Sequence, residues 1–218
     1  MIVDVFSDTV CPWCYVGKRR LERALKARPQ RDVTIRWRAF QLNPGMPAGG
    51  MDRKAYVDAK FGGAERARAI YDTVRAAGTA EGIAFAFDRI KRTPNTLQSH
   101  RLIRFAGNQD RQDEVLEALF RAYFLNGRNI GDRAVLVEVA ADTGLDREET
   151  AEYLAGDADA EAVLAEDGMA RRAGINGVPC FIFNGRFALS GAQEPEAFFQ
   201  LFDLAREDER VRSEAAAS

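Results

Sequence analysis

The chain predicts an α/β fold in which a small mixed sheet flanked by helices is interrupted by a large all-helical insertion. Three stretches carry this prediction: a strand-helix-strand opening, a long middle with helical periodicity, and a close that reads helix, strand, turn, strand, helix. The opening strand runs from Ile2 to Phe6. A helix follows from Cys14 to about Ala27 and ends before Pro29. In the next strand, Val33, Ile35, Trp37 and Ala39 alternate with Thr34, Arg36 and Arg38, the period-two pattern of a half-buried strand. The Pro/Gly-rich stretch NPGMPAGG at 43–50 reads as a loop and a domain boundary.

Beyond it, strand signals fade. Val115, Leu116, Leu119, Phe120, Tyr123 and Phe124 recur at helical spacing, and Val135, Leu136 and Val139 begin another such face. A helix at about 159–173 stops at Gly174, where a glycine cap is expected. Two apolar runs, CFIF and RFALS, flank Asn184-Gly185, a strong hairpin signal. The last helix opens near Pro195 with Phe198, Leu201, Phe202 and Ala205 on one face, and the tail RSEAAAS is expected to fray. The expected division is therefore one domain from 1–49 and 156–218, with a helical insertion at 50–155.

Composition narrows the function. At 218 residues, 46% hydrophobic and 29% charged, the chain is an ordinary globular protein able to bury a core. Its net charge of −2 is spread over scattered charges of both signs, so no basic surface for nucleic acid is predicted. No apolar run approaches the ~18 residues of a membrane helix, and Met1 to Phe6 reads as a strand rather than a signal peptide. The expected compartment is the cytoplasm, where an odd set of three cysteines does not make a disulfide framework.

Against that background Cys11 and Cys14 stand out, two apart in SDTVCPWCYVG. The spacing alone leaves open a redox couple, half of a metal site or two buried thiols. Helix physics favours the first. A thiolate at a helix N-terminus faces unpaired backbone N–H groups and the positive end of the dipole. Cys11 is then the attacking thiol, and Cys14, one turn later and pointing inward, resolves the mixed disulfide. Pro12 lacks an N–H and suits the first turn, and Trp13 shapes the rim.

SDTVCPWCYVG, GVPCFIF and SGAQ together resemble the DsbA-type thiol-disulfide oxidoreductases, most closely the FrnE-like cytoplasmic branch of the thioredoxin-like superfamily. PNTLQSHRL and ALFRAYF resemble that family's inserted domain. The resemblance implies a thioredoxin-like domain with a large helical insertion and a cis Val178–Pro179 bond beside the cysteines. Val178 would then offer its backbone to substrate. It also implies protein thiols and disulfides or glutathione as partners, no cofactor or metal beyond the Cys11–Cys14 disulfide, and a cleft bordered by Asn95 and His100.

One departure is plain: the family keeps a buried acid six residues before the first cysteine, where this chain has Val5; neither Asp4 nor Asp8 is an evident substitute, which leaves water or Asp8 as the proton relay. Cys180 reads either as a small buried apolar residue or as a competitor for Cys11. His100, the one histidine, shares a helix face with Leu97 and Ile103 and is either packed away or turned toward the redox site. A zinc site of Cys11, Cys14, Cys180 and His100 has suitable ligand types but unsupported spacing. Lys18, Arg19 and Arg20 are expected to form a solvated face. The rival function is a glutathione-using enzyme like the kappa-class transferases and 2-hydroxychromene-2-carboxylate isomerases, which usually carry serine where Cys11 stands. A third reading is a binding module that uses the interdomain cleft, with the cysteines incidental.

Overall fold

The fold is taken from a computed structural model, which describes residues 1–216. In chain order it comprises β1 (Ile2–Ser7), α1 (Pro12–Ala27), β2 (Thr34–Ala39), β3 (Met51–Asp52), α2 (Arg53–Phe61), α3 (Ala64–Ala80), β4 (Arg92–Thr93), α4 (Leu97–Gly107) and α5 (Gln112–Phe120). There follow α6 (Arg133–Asp142), α7 (Arg147–Ala155), α8 (Ala160–Arg172), β5 (Cys180–Phe183), β6 (Phe187–Ser190) and α9 (Pro195–Ala216). A π-helical turn, Arg121–Leu125, prolongs α5.

Four strands form one sheet in the order β2-β1-β5-β6. β1 lies parallel to β2, with Val5 opposite Trp37, and antiparallel to β5, with Phe6 opposite Cys180. The β5–β6 hairpin turns at Asn184 (φ 50°) and Gly185 (φ 70°), the left-handed backbone that Asn-Gly adopts readily. Asn184 does a second job, because its Oδ1 accepts the Ile2 N–H and its Nδ2 donates to the Ala205 carbonyl, tying the turn to β1 and α9.

Period two sorts the β5 side chains between two cores. Phe181 and Phe183 meet Phe198 and Phe202 of α9 edge-to-face, with centroids 4.9 and 5.9 Å apart. All four are fully buried, each contributing roughly 1.5–3 kcal/mol by leaving water. Cys180 points to the other face, into a smaller core with Phe40, Ala170 and Ile175. The exposed edge of β2 is closed by helix side chains: the Trp37, Ala39 and Gln41 N–H groups donate to Gln112, Glu166 and Asp167 at 3.1, 2.7 and 2.8 Å. An edge so capped offers few free groups for strand pairing.

The insertion shares the main core with the sheet domain. Tyr15 stacks on Phe120 at 4.9 Å and its hydroxyl donates to Glu117. The α1 face expected to be solvated is instead covered. Lys18 is 2% exposed and pairs with Glu22, with Asp113 at 3.0 Å and with Glu117 at 3.6 Å. Arg20 is likewise buried against Glu81, which Arg23 also engages. The physical reason is that α3 and α5 bring carboxylates to this face from far along the chain.

Two further differences stand out. The block expected to be all helical contains one short antiparallel pair, β3 with β4, where Gly50 passes so close to Thr93 that a Cβ would sit 2.5 Å from its carbonyl oxygen. The tail expected to fray is helical through Ala216, supported by the Arg210–Glu214 and Arg212–Asp208 pairs. Its last two residues, 217 and 218, lie outside the described residues.

The Lys18 network yields a stability test. Lys18→Met keeps the aliphatic stem but removes the charge from three carboxylates that are themselves partly exposed, so urea unfolding should show a loss of about 1–2 kcal/mol. A change below ~0.5 kcal/mol would mean that apolar packing alone docks the insertion.

Candidate active site

β1 delivers the chain to the site. Past Ser7, the Cys11 N–H donates to the Asp8 carbonyl at 3.0 Å, a tight turn that leaves Cys11 as the N-cap of α1 with Pro12 in the first turn. The turn is pinned on two sides. Asp8 Oδ2 accepts the Leu42 N–H at 2.7 Å, and Thr9 Oγ1 shares a 2.8 Å hydrogen bond with Ser99 Oγ of α4. Asp8, Thr9 and Ser99 are fully buried, so the loop is held by both the sheet domain and the insertion.

Cys11 and Cys14 lie near each other, both as free thiols, at 4% and 1% exposure. Cys11 Sγ donates to the Val178 carbonyl at 3.6 Å. The Val178–Pro179 peptide is cis. Pro12, Trp13 and Val178 are half-buried, forming the open margin of the pair, while Pro179 is buried behind it. Burial pushes the Cys14 thiol well above its ordinary pKa, and the neighbouring Cys11 raises it further. The Asp8 backbone and the Ser7 side chain act the other way.

Gly17 was missed by sequence reasoning. A Cβ there would lie 2.8 Å from Pro179 Cγ and 3.2 Å from Phe181 Cζ, so the absent side chain is what lets α1 rest on the proline. The one available signal was a glycine inside a helix, where it costs about 1 kcal/mol relative to alanine.

The remaining candidates divide. His100 is buried, with Nε2 3.4 Å from Asp8 Oδ1, and so faces the loop between β1 and α1 from α4. Asn95 caps α4 by accepting the Leu97 N–H and donates to the Met46 carbonyl at 2.7 Å, which ties the 43–50 loop to the insertion. Cys180 is buried on the opposite sheet face, and burial raises its thiol as well.

Family comparison agrees with this geometry. The profile of the DSBA-like thioredoxin domain matches residues 2–203. The chain belongs to the DsbA-like thioredoxin family. A probable DsbA oxidoreductase from Streptomyces coelicolor superposes with a TM-score of 0.86 at 38% identity, over 95% of this chain and 90% of that one. The cytosolic disulfide reductase DsbM from Pseudomonas aeruginosa, solved with GSH, gives 0.63 at 20% identity over 98% and 100%. A 2-hydroxychromene-2-carboxylate isomerase gives 0.66 at 18% over the full length of both chains. These two share the fold. The uncharacterized protein YwbO of Bacillus subtilis is 28% identical over 145 residues, so the chain spans 66% of the length of this curated relative. No helix among the described residues is long and apolar enough to cross a membrane.

Two measurements follow for this DsbA-like site. Gly17→Ala should lower stability by about 1 kcal/mol, because overpacking against the rigid Pro179 ring outweighs the helix-propensity gain. Gly168→Ala in α8 is the control: its Cβ would meet only the end of the flexible Arg172 side chain, so it should be neutral or stabilising. Equal shifts in both variants would remove the Pro179 contact as the cause. The second concerns pH. A thiol whose pKa is raised on folding stabilises the fold fully below its unfolded value, ~8.5, and progressively less as pH rises above it. Urea midpoints of the reduced protein should therefore fall more steeply above about pH 8.5 than those of Cys14→Ala, with parallel curves disproving the assignment.

Proposed function

We propose that this DsbA-like protein is a thiol-disulfide oxidoreductase in which Cys11 attacks a substrate disulfide and Cys14 resolves the mixed disulfide. The observation that carries the reading is the placement of two neighbouring thiols at the start of α1, with Cys11 Sγ against the Val178 carbonyl. Attack by Cys11 forms a bond to one substrate sulfur and releases the other as a thiolate. Attack by Cys14 then closes the Cys11–Cys14 disulfide and releases the second, so the pair is oxidised by two electrons and the substrate reduced. The reverse sequence oxidises a dithiol.

Pro12, Trp13 and the Val178 backbone form the contact surface for substrate, Pro179 sets that backbone beside the pair, and Asp8 takes part in moving the Cys14 proton. The partners are protein thiols and disulfides or glutathione, and the redox group is the cysteine pair itself. Placement in the FrnE-like branch and in the cytoplasm goes with this reading, and a glutathione-poised compartment favours reduction or isomerisation over net oxidation. The cytosolic DsbM neighbour, solved with GSH, supports both the compartment and glutathione as a partner. A glutathione-dependent transferase or isomerase is the second reading, favoured by the isomerase neighbour. Such chemistry has no use for Cys14.

Equilibration of the protein in glutathione buffers, with thiol trapping and a Cys14→Ser control, decides between them. The expected result is a defined two-electron transition that Cys14→Ser abolishes. A potential near about −270 mV marks a reductase or isomerase and one near about −120 mV an oxidant. Absence of an intramolecular disulfide at every poise would overturn the oxidoreductase reading.

A further inference from the structure

Three polar atoms behind the cysteine pair are buried without a hydrogen-bond partner: Ser7 Oγ, Asp8 Oδ1 and His100 Nε2. Such orphans are costly to leave buried, so three together are a feature to be explained. The two other buried orphans among the described residues, on Glu117 and Asp208, belong to side chains engaged in ion pairs with arginine or lysine. Asp8 Oδ1 and His100 Nε2 face each other at 3.4 Å but are not aligned for a hydrogen bond. Ser7 stands on the other side, beside the Cys14 sulfur.

Ser7 and His100 both line a small cavity of about 40 Å³. Roughly 10–15 Å³ is enough for one water when polar partners surround it. The cavity shares Trp37, Arg38, Arg104 and Gln112 with an open groove of about 490 Å³ along the edge of β2, which reaches solvent. The charged groups around the pair are already matched: Arg38 with Asp4 and Glu166, Arg104 with Asp159, and Arg171 with Asp167. The one ion-pair contact of Asp8 among the described residues is with His100, while Arg171, already paired with Asp167, also acts on Asp8 from α8.

We propose that Ser7, the cavity and the Asp8–His100 pair form a proton path that takes the Cys14 proton inward and passes it to solvent through the β2-edge groove. The inference rests on the oxidoreductase reading and deepens it. In the resolving step the Cys14 S–H bond breaks, and its proton moves by way of the Ser7 hydroxyl and water to the space between His100 Nε2 and Asp8 Oδ1. The freed sulfur electron pair forms the bond to Cys11 Sγ. The bond from Cys11 to the substrate sulfur breaks, and the departing thiolate is protonated from solvent. When the pair is reduced again, the proton returns along the same path. His100 and Asp8 act through Ser7 and water, and are positioning residues for the proton rather than for the sulfur.

The test separates the two chemical steps. Reduced protein is mixed with oxidised glutathione, quenched with acid over time and resolved by mass spectrometry into the Cys11–glutathione adduct and the intramolecular disulfide. His100→Gln should form the adduct at the wild-type rate yet close the ring about 100-fold more slowly near neutral pH, the low side of what positioned proton transfer contributes. The gap should narrow as hydroxide takes over at high pH. Ser7→Ala, a smaller change that guards against misfolding of the histidine variant, should show the same pH-dependent adduct accumulation. Wild-type ring closure at every pH in both variants overturns the proposal, as does a slowing independent of pH, which a merely structural role would give. If Cys14→Ser forms no adduct, Cys11 is not the attacking thiol and the oxidoreductase reading itself falls, an outcome distinct from an intact first step with a normal second one.

Discussion

The reactive end of the molecule depends on how closely α1 approaches the start of β5. At Gly17 the helix rests on Pro179 and Phe181 at a distance that any side chain would prevent. That contact fixes where the first turn of α1 points, and so brings Cys11 Sγ to the Val178 carbonyl and tucks Cys14 behind it. Phe181 is held in turn by Phe198 of α9, so the aromatic core on this face of the sheet is also the base on which the cysteine pair stands. Stability and chemistry share the same few contacts, which is why a methyl group in the helix interior reaches both.

From the other side, the insertion completes what the sheet domain begins. It supplies Phe120 beneath Tyr15, carboxylates around Lys18, and Ser99 and His100 against the loop between β1 and α1. A thioredoxin-like sheet alone would leave Lys18 without Asp113 and Glu117, Arg20 without Glu81 and the Asp8 carboxylate without its facing histidine. The inserted block therefore forms the rear wall of the site. Desolvating these charges is costly, and the price is met by pairing nearly every one of them.

What could be read from the sequence was local. Strand alternation in β2, Pro12 at the helix start and Asn184-Gly185 at the hairpin are each dictated by neighbours a few residues away, and the observed elements fall where those signals stand. The nearness of Cys11 and Cys14 was legible for the same reason. Lys18 and Arg20 misled because their partners, Asp113, Glu117 and Glu81, lie far along the chain, and a charged run looks solvated until its cover is known. His100 carried the same difficulty in reverse: helical spacing placed it on a face, but only the packing of α4 against residues 7–9 says what the face meets. The two-residue β3–β4 bridge is too short for any periodic signal, and Gly17 was hidden because its role is defined by an atom in Pro179.

Burial of Cys14 places a physical demand on the site. A dry sulfur favours the protonated thiol, which protects it from casual reaction but makes it a poor nucleophile for the resolving role proposed for it. Exposure would relieve that difficulty at the cost of the packing that aligns Cys14 with Cys11. Stability and reactivity can coexist only if the surroundings keep the sulfur shielded while lowering the cost of its charge at the instant of transfer. The Asp8 backbone and the Ser7 side chain act in that direction at the sulfur itself. Asp8 Oδ1 and His100 Nε2, one layer further in, would meet the other half of the demand under the proposed path, since a proton leaving a buried sulfur needs somewhere polar to go. Satisfying Ser7, Asp8 and His100 with well-aligned static hydrogen bonds would make the fold more stable and remove that destination, so the unmet bonding behind the pair is the counterpart of the close packing in front of it.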